Sequence, residues 1–352
     1  MRFSEVLEIK NGKNQRQVEN PNGKYPIYGS GGVMGHADDY LCDAETVVIG
    51  RKGSINNPIF VEEPFWNVDT AFGLVANKDL LLPKYLYYFC INFNFEALNT
   101  TVTIPSLTKA NLLQIEINIP SIVEQSDVVS KLDKIGNLIE LRKQQLEELD
   151  QLVKSRFIEL FGEVETNVKK FAMKRMDECC RFIGGAQPDK SHFEYEKTDD
   201  NIRLIQIRDY KSDRFITYIP RSLARKTCTA SDIMIGRYGP PIFQILGGIE
   251  GAYNVALMKA VPSDEFNTEY FRYFLKSEKL LHYLESFSQR TAGQDGIQID
   301  KLNAYPCFIP PMELQNQFAT FVEQVDKSKL AIHKSLEKLE ILKKSLMQQY
   351  FG

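Results

Sequence analysis

The chain has 352 residues, of which 43% are hydrophobic and 25% charged, with a formal net charge of −3. That length exceeds one ordinary core and calls for at least two domains. A near-neutral balance argues against a purely electrostatic grip on nucleic acid without deciding the matter, and with 10 basic and 13 acidic residues in 1–120, and 21 and 20 in 163–310, any such contact must come from local patches or a partner's charge.

The N-terminal MRFSEVLEIKNGK alternates polar and apolar residues without an apolar block, so it does not read as a signal peptide. No run of about 18 apolar residues follows, which leaves no candidate membrane span. Cys42, Cys90, Cys179, Cys180, Cys228 and Cys307 form no CxxC pair; reduced thiols and a cytoplasmic location are expected. IKNGKNQRQ (9–17) is rich in amides and cations, with Lys13, Asn14, Gln15 and Arg16 as candidate contacts. YGSGG (28–32) adds Ser30 on a loop; the wider GSGGVMG (29–35) has the wrong spacing for a dinucleotide loop and opens no helix. VVIGRKGSINNPIF (47–60) is a β-type run that turns at Arg51 and Lys52. Its NPIF is one residue from the N-P-P-[FY] by which amino-methyltransferases hold an adenine amine, but Ile59 replaces the second proline, and a sheet-edge turn is the adopted reading. PKYLYYFCINF (83–93) reads as an amphipathic helix.

Ser121 and Glu124 have capping-box spacing. A 4-3-4-3 seam then runs through Val128, Leu132, Ile135, Ile139, Arg142, Leu146, Leu149, Val153, Arg156 and Leu160 to a stop at Gly162. It predicts a helix of about 38 residues, on the order of 57 Å long, with Gly136 costing roughly 1 kcal/mol. Beyond it, PDKSHFEYEK (188–197) has Tyr195 where a metal nuclease needs a carboxylate, and His36, His192, His282 and His333 lack metal-ligand spacing. IQIRDYK (205–211) offers Gln206, Arg208 and Tyr210, and GRYG (236–239) offers Arg237 and Tyr238. TEYFRYFLKSEKLLHYLESF (268–287) reads as one amphipathic helix, and FSQRTAGQDG (287–296) offers Gln289, Arg290 and Gln294. Pro311 suits the first position of a second long helix, with a seam of Phe318, Val322, Val325, Lys329, Ile332, Leu336, Leu339, Lys343, Leu346 and Tyr350 before Gly352.

The loop candidates share one logic: arginine suits guanine, Gln and Asn suit adenine, and glycine lets backbone approach phosphates. Arg51 and Arg237 also admit a structural role, holding their turns by pairing with a carboxylate.

Much of the chain is said twice. LEELDQLVKSRFIELFG (146–162) and LEKLEILKKSLMQQYFG (336–352) stand 190 apart (336 − 146), as do IEINIPSIVEQ (115–125) and YPCFIPPMELQ (305–315), which places Gln125 on Gln315. VVIGRKG and IMIGRYG stand 186 apart (235 − 49). Two copies of one α+β module, each ending in a long helix, are the reading. It divides the chain into 1–120, a helix at 121–162, 163–310, and a helix at 311–352, with the helices packed as an antiparallel, left-handed coiled coil. Leu132, Ile139, Arg142, Leu146, Leu149, Val322, Lys329, Leu336, Leu339 and Lys343 are its candidate contacts, with each other or with a docked partner. The seam cations Arg142, Arg156, Lys329 and Lys343 either snorkel outward or meet carboxylates of the opposite helix or of a partner.

This organisation resembles the specificity subunit of type I restriction-modification systems, over essentially the whole chain. The segments NGKNQRQVENPNGKYPIYGSGG through VVIGRKGSINNPIF resemble one target-recognition subclass, and IGGAQPDKSHF through DIMIGRYGPP another. QRTAGQDGIQI departs from the family's more usual Gly-rich turn. The resemblance implies a non-catalytic subunit of a methyltransferase and endonuclease complex. Each recognition domain would read one half of a bipartite double-stranded DNA site. The helices would set the spacing and dock two modification subunits that methylate adenine using S-adenosylmethionine, and two restriction subunits can join. Neither cofactor nor metal is expected in this chain. The alternatives are a stand-alone DNA methyltransferase or nuclease, which lacks an intact cofactor or metal motif here, and a coiled-coil adaptor with two heads binding carbohydrate or protein.

Overall fold

A computed structural model of the chain describes residues 1–99, 106–239, 241–287 and 296–352. The chain divides into two compact units, Met1–Gln145 with Ala331–Gly352, and Leu146–Leu330. Each holds one α+β part and one stretch of each long helix.

In the first unit, α1 (Phe3–Val6) leads into β1 (Leu7–Asn11), followed by β2 (Tyr25–Gly29), β3 (Gly32–Ala37), β4 (Thr46–Gly50), β5 (Ile59–Val61), β6 (Trp66–Asn67) and β7 (Ala71–Ala76). Then come α2 (Pro83–Asn92), α3 (Lys109–Leu113) and the start of α4 (Ile122–Phe161). The strands form an antiparallel sheet ordered β1-β7-β4-β5 and a smaller one ordered β3-β2-β6. TVVIG is buried at every position, as an unbroken apolar run in a central strand should be. Ile59–Val61, from the NPIF stretch, forms the sheet edge, where a neighbouring proline disturbs no ladder.

The second unit continues with β8 (Ala172–Arg175), α5 (Met176–Cys179), β9 (Cys180–Gly184), β10 (Asn201–Ile205), β11 (Tyr218–Pro220), β12 (Thr227–Cys228) and β13 (Ile233–Gly236). It goes on through β14 (Gln244–Gly247), β15 (Gly251–Tyr253), β16 (Leu257–Pro262), α6 (Thr268–Leu275), α7 (Glu278–Ser286), α8 (Ile299–Ala304), β17 (Pro306–Ile309) and the start of α9 (Met312–Phe351). Its sheets are ordered β14-β13-β16-β9, β11-β10-β15-β12 and β17-β8.

The duplication holds in the strand registers. Asn11 opposite Phe72 becomes Gly184 opposite Met258, and Gly50 opposite Ala71 becomes Gly236 opposite Leu257. The central strands keep the 186-residue offset (257 − 71), whereas the first strand shifts by 173 (184 − 11), an offset the sequence reading missed. The same 173 relates the turns that precede it. Arg2 N donates to Glu5 Oε2 at 2.6 Å, and Arg175 N to Glu178 Oε2 at 2.9 Å.

The helix expected over 268–287 is two helices. Lys276 N and Ser277 N donate to Tyr273 O and Phe274 O, both at 3.1 Å, i→i−3 bonds that tighten and end α6. The break lets Leu280 and Leu284 of α7 enter the core already occupied by Tyr270, Phe271 and Phe274. Pro311 stands just before α9 rather than opening it, its carbonyl accepting Gln315 N at 3.2 Å.

The long helices have 40 residues each, about 60 Å at 1.5 Å per residue. The capping box forms, with Ser121 N donating to Glu124 Oε2 at 2.9 Å and Glu124 N to Ser121 Oγ at 3.3 Å, and Gly162 takes φ +74° at the stop. Every seam position named above is buried or half-buried. Within the first unit, Val128 and Leu132 share a core with Leu346 and Met347, while the Glu340 carboxylate acts on Lys143 farther along. Within the second, Phe157 meets Phe318 edge-on at 5.3 Å and Asp150 pairs with Lys329 at 2.5 Å. In each unit later residues of α4 meet earlier residues of α9, so the paired stretches run antiparallel. The seam cations divide: Lys329 meets a carboxylate of the opposite helix, whereas Arg142 and Arg156 bond Gln145 and Glu159 on their own helix.

Each helix is fastened by a buried glutamine. Gln125 Oε1 accepts Leu82 N at 2.8 Å, and its Nε2 donates to Leu80 O and Pro120 O. Gln315 repeats all three bonds, with Asn267 N, Glu265 O and Pro310 O. At the far ends, Phe351 packs on Tyr85 in the first unit and Phe161 on Tyr270 in the second.

Candidate nucleic-acid interface

The candidate loops of the first unit converge on one short segment, residues 67–71. Gly12 N donates to Ala71 O at 3.3 Å, Lys13 N to Asn67 O at 2.9 Å, Arg51 N to Thr70 O at 2.8 Å, and Val68 N to Tyr28 O at 3.0 Å. The reason is topological: β1, β2 and β4 all end where β6 finishes and β7 begins. A Cβ on Gly12 would stand 1.7 Å from Val68 O, so only glycine permits this approach. Lys13, Asn14, Arg16, Arg51 and Lys52 are exposed there, and Gln15 and Ser30 are half-buried. Asn14 Oδ1 accepts Arg16 N at 2.9 Å and shapes the turn that presents both side chains.

The second unit repeats this edge. Gly185 N donates to Leu257 O, Ala186 N to Tyr253 O, Arg237 N to Ala256 O and Asn254 N to Ile205 O, at 3.0, 3.1, 2.9 and 3.1 Å. A Cβ on Gly185 would stand 2.0 Å from Asn254 O. Gly185-Ala186 is therefore the counterpart of Gly12-Lys13, and the exposed Gln187 stands where Asn14 does. Sequence reasoning missed this loop because its 173-residue offset differs from both detected ones. The two arginines are also held alike from the other side, as Leu107 N donates to Arg51 O at 2.9 Å and Ile297 N to Arg237 O at 3.3 Å.

Neither arginine pairs with a carboxylate among the described residues. The Arg51 guanidinium lies 5.8 Å from the Phe72 ring centroid, and that of Arg237 lies 5.3 Å from Tyr238 while donating to Val255 O at 3.4 Å. The turns are held by backbone bonds, which leaves the exposed Arg51 head available, while Arg237 is half-buried. Arg208 is exposed, and its Nη2 reaches Thr217 Oγ1 at 3.3 Å; Gln206 Nε2 reaches the same oxygen at 3.2 Å. Tyr210 is half-buried against the Ile205, Cys228 and Met234 cluster, and burial pushes its hydroxyl pKa up. Asp209 is buried beneath this loop, accepting Gln206 N at 2.9 Å, and burial raises its carboxyl pKa despite that bond. Tyr238 is half-buried, bridged to Gly296, while Gln289, Arg290 and Gln294 lie outside the described residues.

Among the described residues no group of three or more His, Cys, Asp or Glu is placed to hold a metal ion, and no helix is long and apolar enough to cross a membrane. The six cysteines are buried and free, and burial pushes Cys42 and Cys228 up to about 11 and Cys180 to about 12, so these three are poor nucleophiles near neutral pH. What each edge offers is recognition chemistry, exposed guanidinium and amide groups on loops anchored by backbone hydrogen bonds.

Residues 1–151 match the family model of the type I restriction modification DNA specificity domain. A putative type I restriction enzyme specificity subunit from Haemophilus influenzae is 29% identical over 121 residues, which are 33% of this chain and 31% of that protein. A putative type I specificity subunit from Mycoplasma pneumoniae is 19% identical over 363 aligned positions, 99% of this chain and 95% of that protein. Two solved structures share the fold over 100% of this chain. The S subunit of a type I restriction-modification system from M. genitalium has a TM-score of 0.67 at 16% identity, over 95% of its length. A chain from a study of complex assembly and conformational transition in the type I system has a TM-score of 0.61 at 17% identity, over 96% of its length.

Proposed function

We infer, from a chain whose first 151 residues belong to the type I restriction modification DNA specificity domain family and whose fold is that of type I S subunits, that it supplies the DNA specificity of such a complex. Each unit reads one half of a bipartite double-stranded site through its loop edge. The observation that carries this is the duplicated edge itself, in which Arg51 and Arg237 are fixed by equivalent backbone bonds on both sides and project from equivalent turns. Reading two half-sites needs two copies of one scaffold with different side chains, and that is the pattern observed.

The long helices set the spacing and dock two adenine modification subunits. Their outer faces support this: Leu141 and Ile341 in the first unit, and Leu152 and Leu330 in the second, are exposed apolar side chains on otherwise charged helices. S-adenosylmethionine belongs to those partners and methyl transfer takes place there; restriction subunits complete a cleaving complex. The chain itself acts by binding.

The test is to produce the chain with an adenine methyltransferase subunit of the same system and sequence the methylated adenines of the host DNA. A bipartite motif is expected. Replacing residues 1–120 by another recognition domain should change one half of it only. S-adenosylmethionine binding by the chain alone, or a motif that is not bipartite, would overturn the reading.

A further inference from the structure

We propose that Phe215 is a base-contacting specificity determinant and that Arg208 and Arg214 grip the DNA backbone on either side of it, an inference that rests on the DNA-reading function above. The position is reached by counting back from paired strand residues. Tyr28 pairs with Asn67 and Ile205 with Tyr253, which sets Pro26 of β2 on Arg203 of β10. Their antiparallel partners, His36 and Tyr218, stand 182 apart (218 − 36). Three residues before each come Val33 and Phe215.

A lone exposed apolar side chain is ordinary on any protein surface. Here the same position is exposed in both units, Val33 at 58% and Phe215 at 56%, with Met34 beside the first at 63%. Val33 lies on β3, whereas Phe215 ends a 3-10 turn (Asp213–Phe215) just ahead of β11; each adjoins the strand whose end joins the loop edge, since Val68 N bonds Tyr28 O and Asn254 N bonds Ile205 O. The first unit makes the connection with a tight turn between β2 and β3, whereas the second spends residues 206–217 on it. That longer loop carries the cations.

The guanidiniums of Arg208 and Arg214 lie 5.7 and 5.2 Å from the Phe215 ring centroid. Neither makes an ion pair among the described residues, although Arg203 nearby is paired with Asp213 at 2.8 Å. Asp209 attracts Arg208 from beneath the loop without forming an ion pair, and two like charges flanking one exposed ring favour a further anion on the solvent side. A phosphodiester backbone supplies anions on both sides of a base, and the ring then meets a thymine methyl or base edge, the contact by which apolar side chains read sequence.

The test uses the complete methyltransferase complex, after its wild-type motif is known. A wild-type motif that is not bipartite would overturn the functional reading on which this proposal rests. Given a bipartite motif, Phe215→Ala should relax one base position in the half read by the second unit, by about 10- to 100-fold in discrimination, and leave the other half intact. Phe215→Leu, which keeps an apolar contact, should retain the motif. Arg208→Gln and Arg214→Gln should each weaken binding to all duplexes and flatten the salt dependence by about one unit of slope. A Phe215→Ala complex with unchanged melting temperature and an unchanged motif would overturn the proposal. So would an even loss across all sequences.

Discussion

Replacing Gln125 by leucine removes three hydrogen bonds from a site of 0% exposure and leaves Leu82 N–H, Leu80 C=O and Pro120 C=O without a partner. Each buried, unsatisfied group costs about 1–3 kcal/mol. Leucine returns roughly 1–2 kcal/mol through its more apolar surface. Three such groups less that return give an expected net loss of about 1–8 kcal/mol, confined to the first unit. The chain's single tryptophan, Trp66, is buried in that unit and serves as the reporter in a urea titration, while far-UV circular dichroism follows the whole chain. Gln315→Leu, which breaks the same three bonds in the second unit, should cost a similar amount in the circular dichroism transition. A loss below about 1 kcal/mol for Gln125→Leu would show that those backbone groups find water, and the anchoring argument would fail.

Three further outcomes are expected. Gly12→Ala drives a Cβ into Val68 O, 1.7 Å away, so the 11–17 loop must shift; methylation should lose one half of its motif, and a Gly12→Ala complex with the parental motif would count against the loop's role. Lys329→Leu with Arg142→Leu should change stability by no more than about 1 kcal/mol, because Asp150 is 65% exposed in its pair with Lys329. If that double variant also assembles normally with the modification subunit, the seam cations serve neither docking nor register. Asp209 has its folded pKa raised by burial, so its contribution favours the folded state below its unfolded value of about 3.9 and is lost as pH rises through the folded value. Asp209→Asn should therefore flatten the decline in stability above that pH; parallel urea-midpoint profiles for the two proteins would contradict it.

The long helices were legible from the residues alone because their signals are local. A heptad seam, a capping box and a glycine stop depend on neighbours within a few positions, and each lies where expected at Ser121, Glu124 and Gly162. The repeat was legible for a related reason, since equal offsets survive wherever insertions are absent. It became unreadable at Gly12 and Gly185, where unequal loop lengths produce a third offset and only the shared close approach to Val68 O and Asn254 O reveals the match.

Other features were decided by groups far apart in the chain. The sequence aligned Gln125 with Gln315 but showed no reason for either, because their partners lie up to 45 and 50 residues away. It left Arg51 and Arg237 between reading DNA and pairing with a carboxylate; the folded chain sets each beside an aromatic ring and fixes its turn through the backbone. Two modules and two long helices are legible in the residues alone, because periodicity and repetition are properties of the string. Folding in three dimensions is what closes Phe351 on Tyr85 and Phe161 on Tyr270, and what brings loops 11–17, 28–32 and 50–54 to one edge. Those pairings depend on which apolar surfaces and backbone donors meet in space, and no local pattern encodes that.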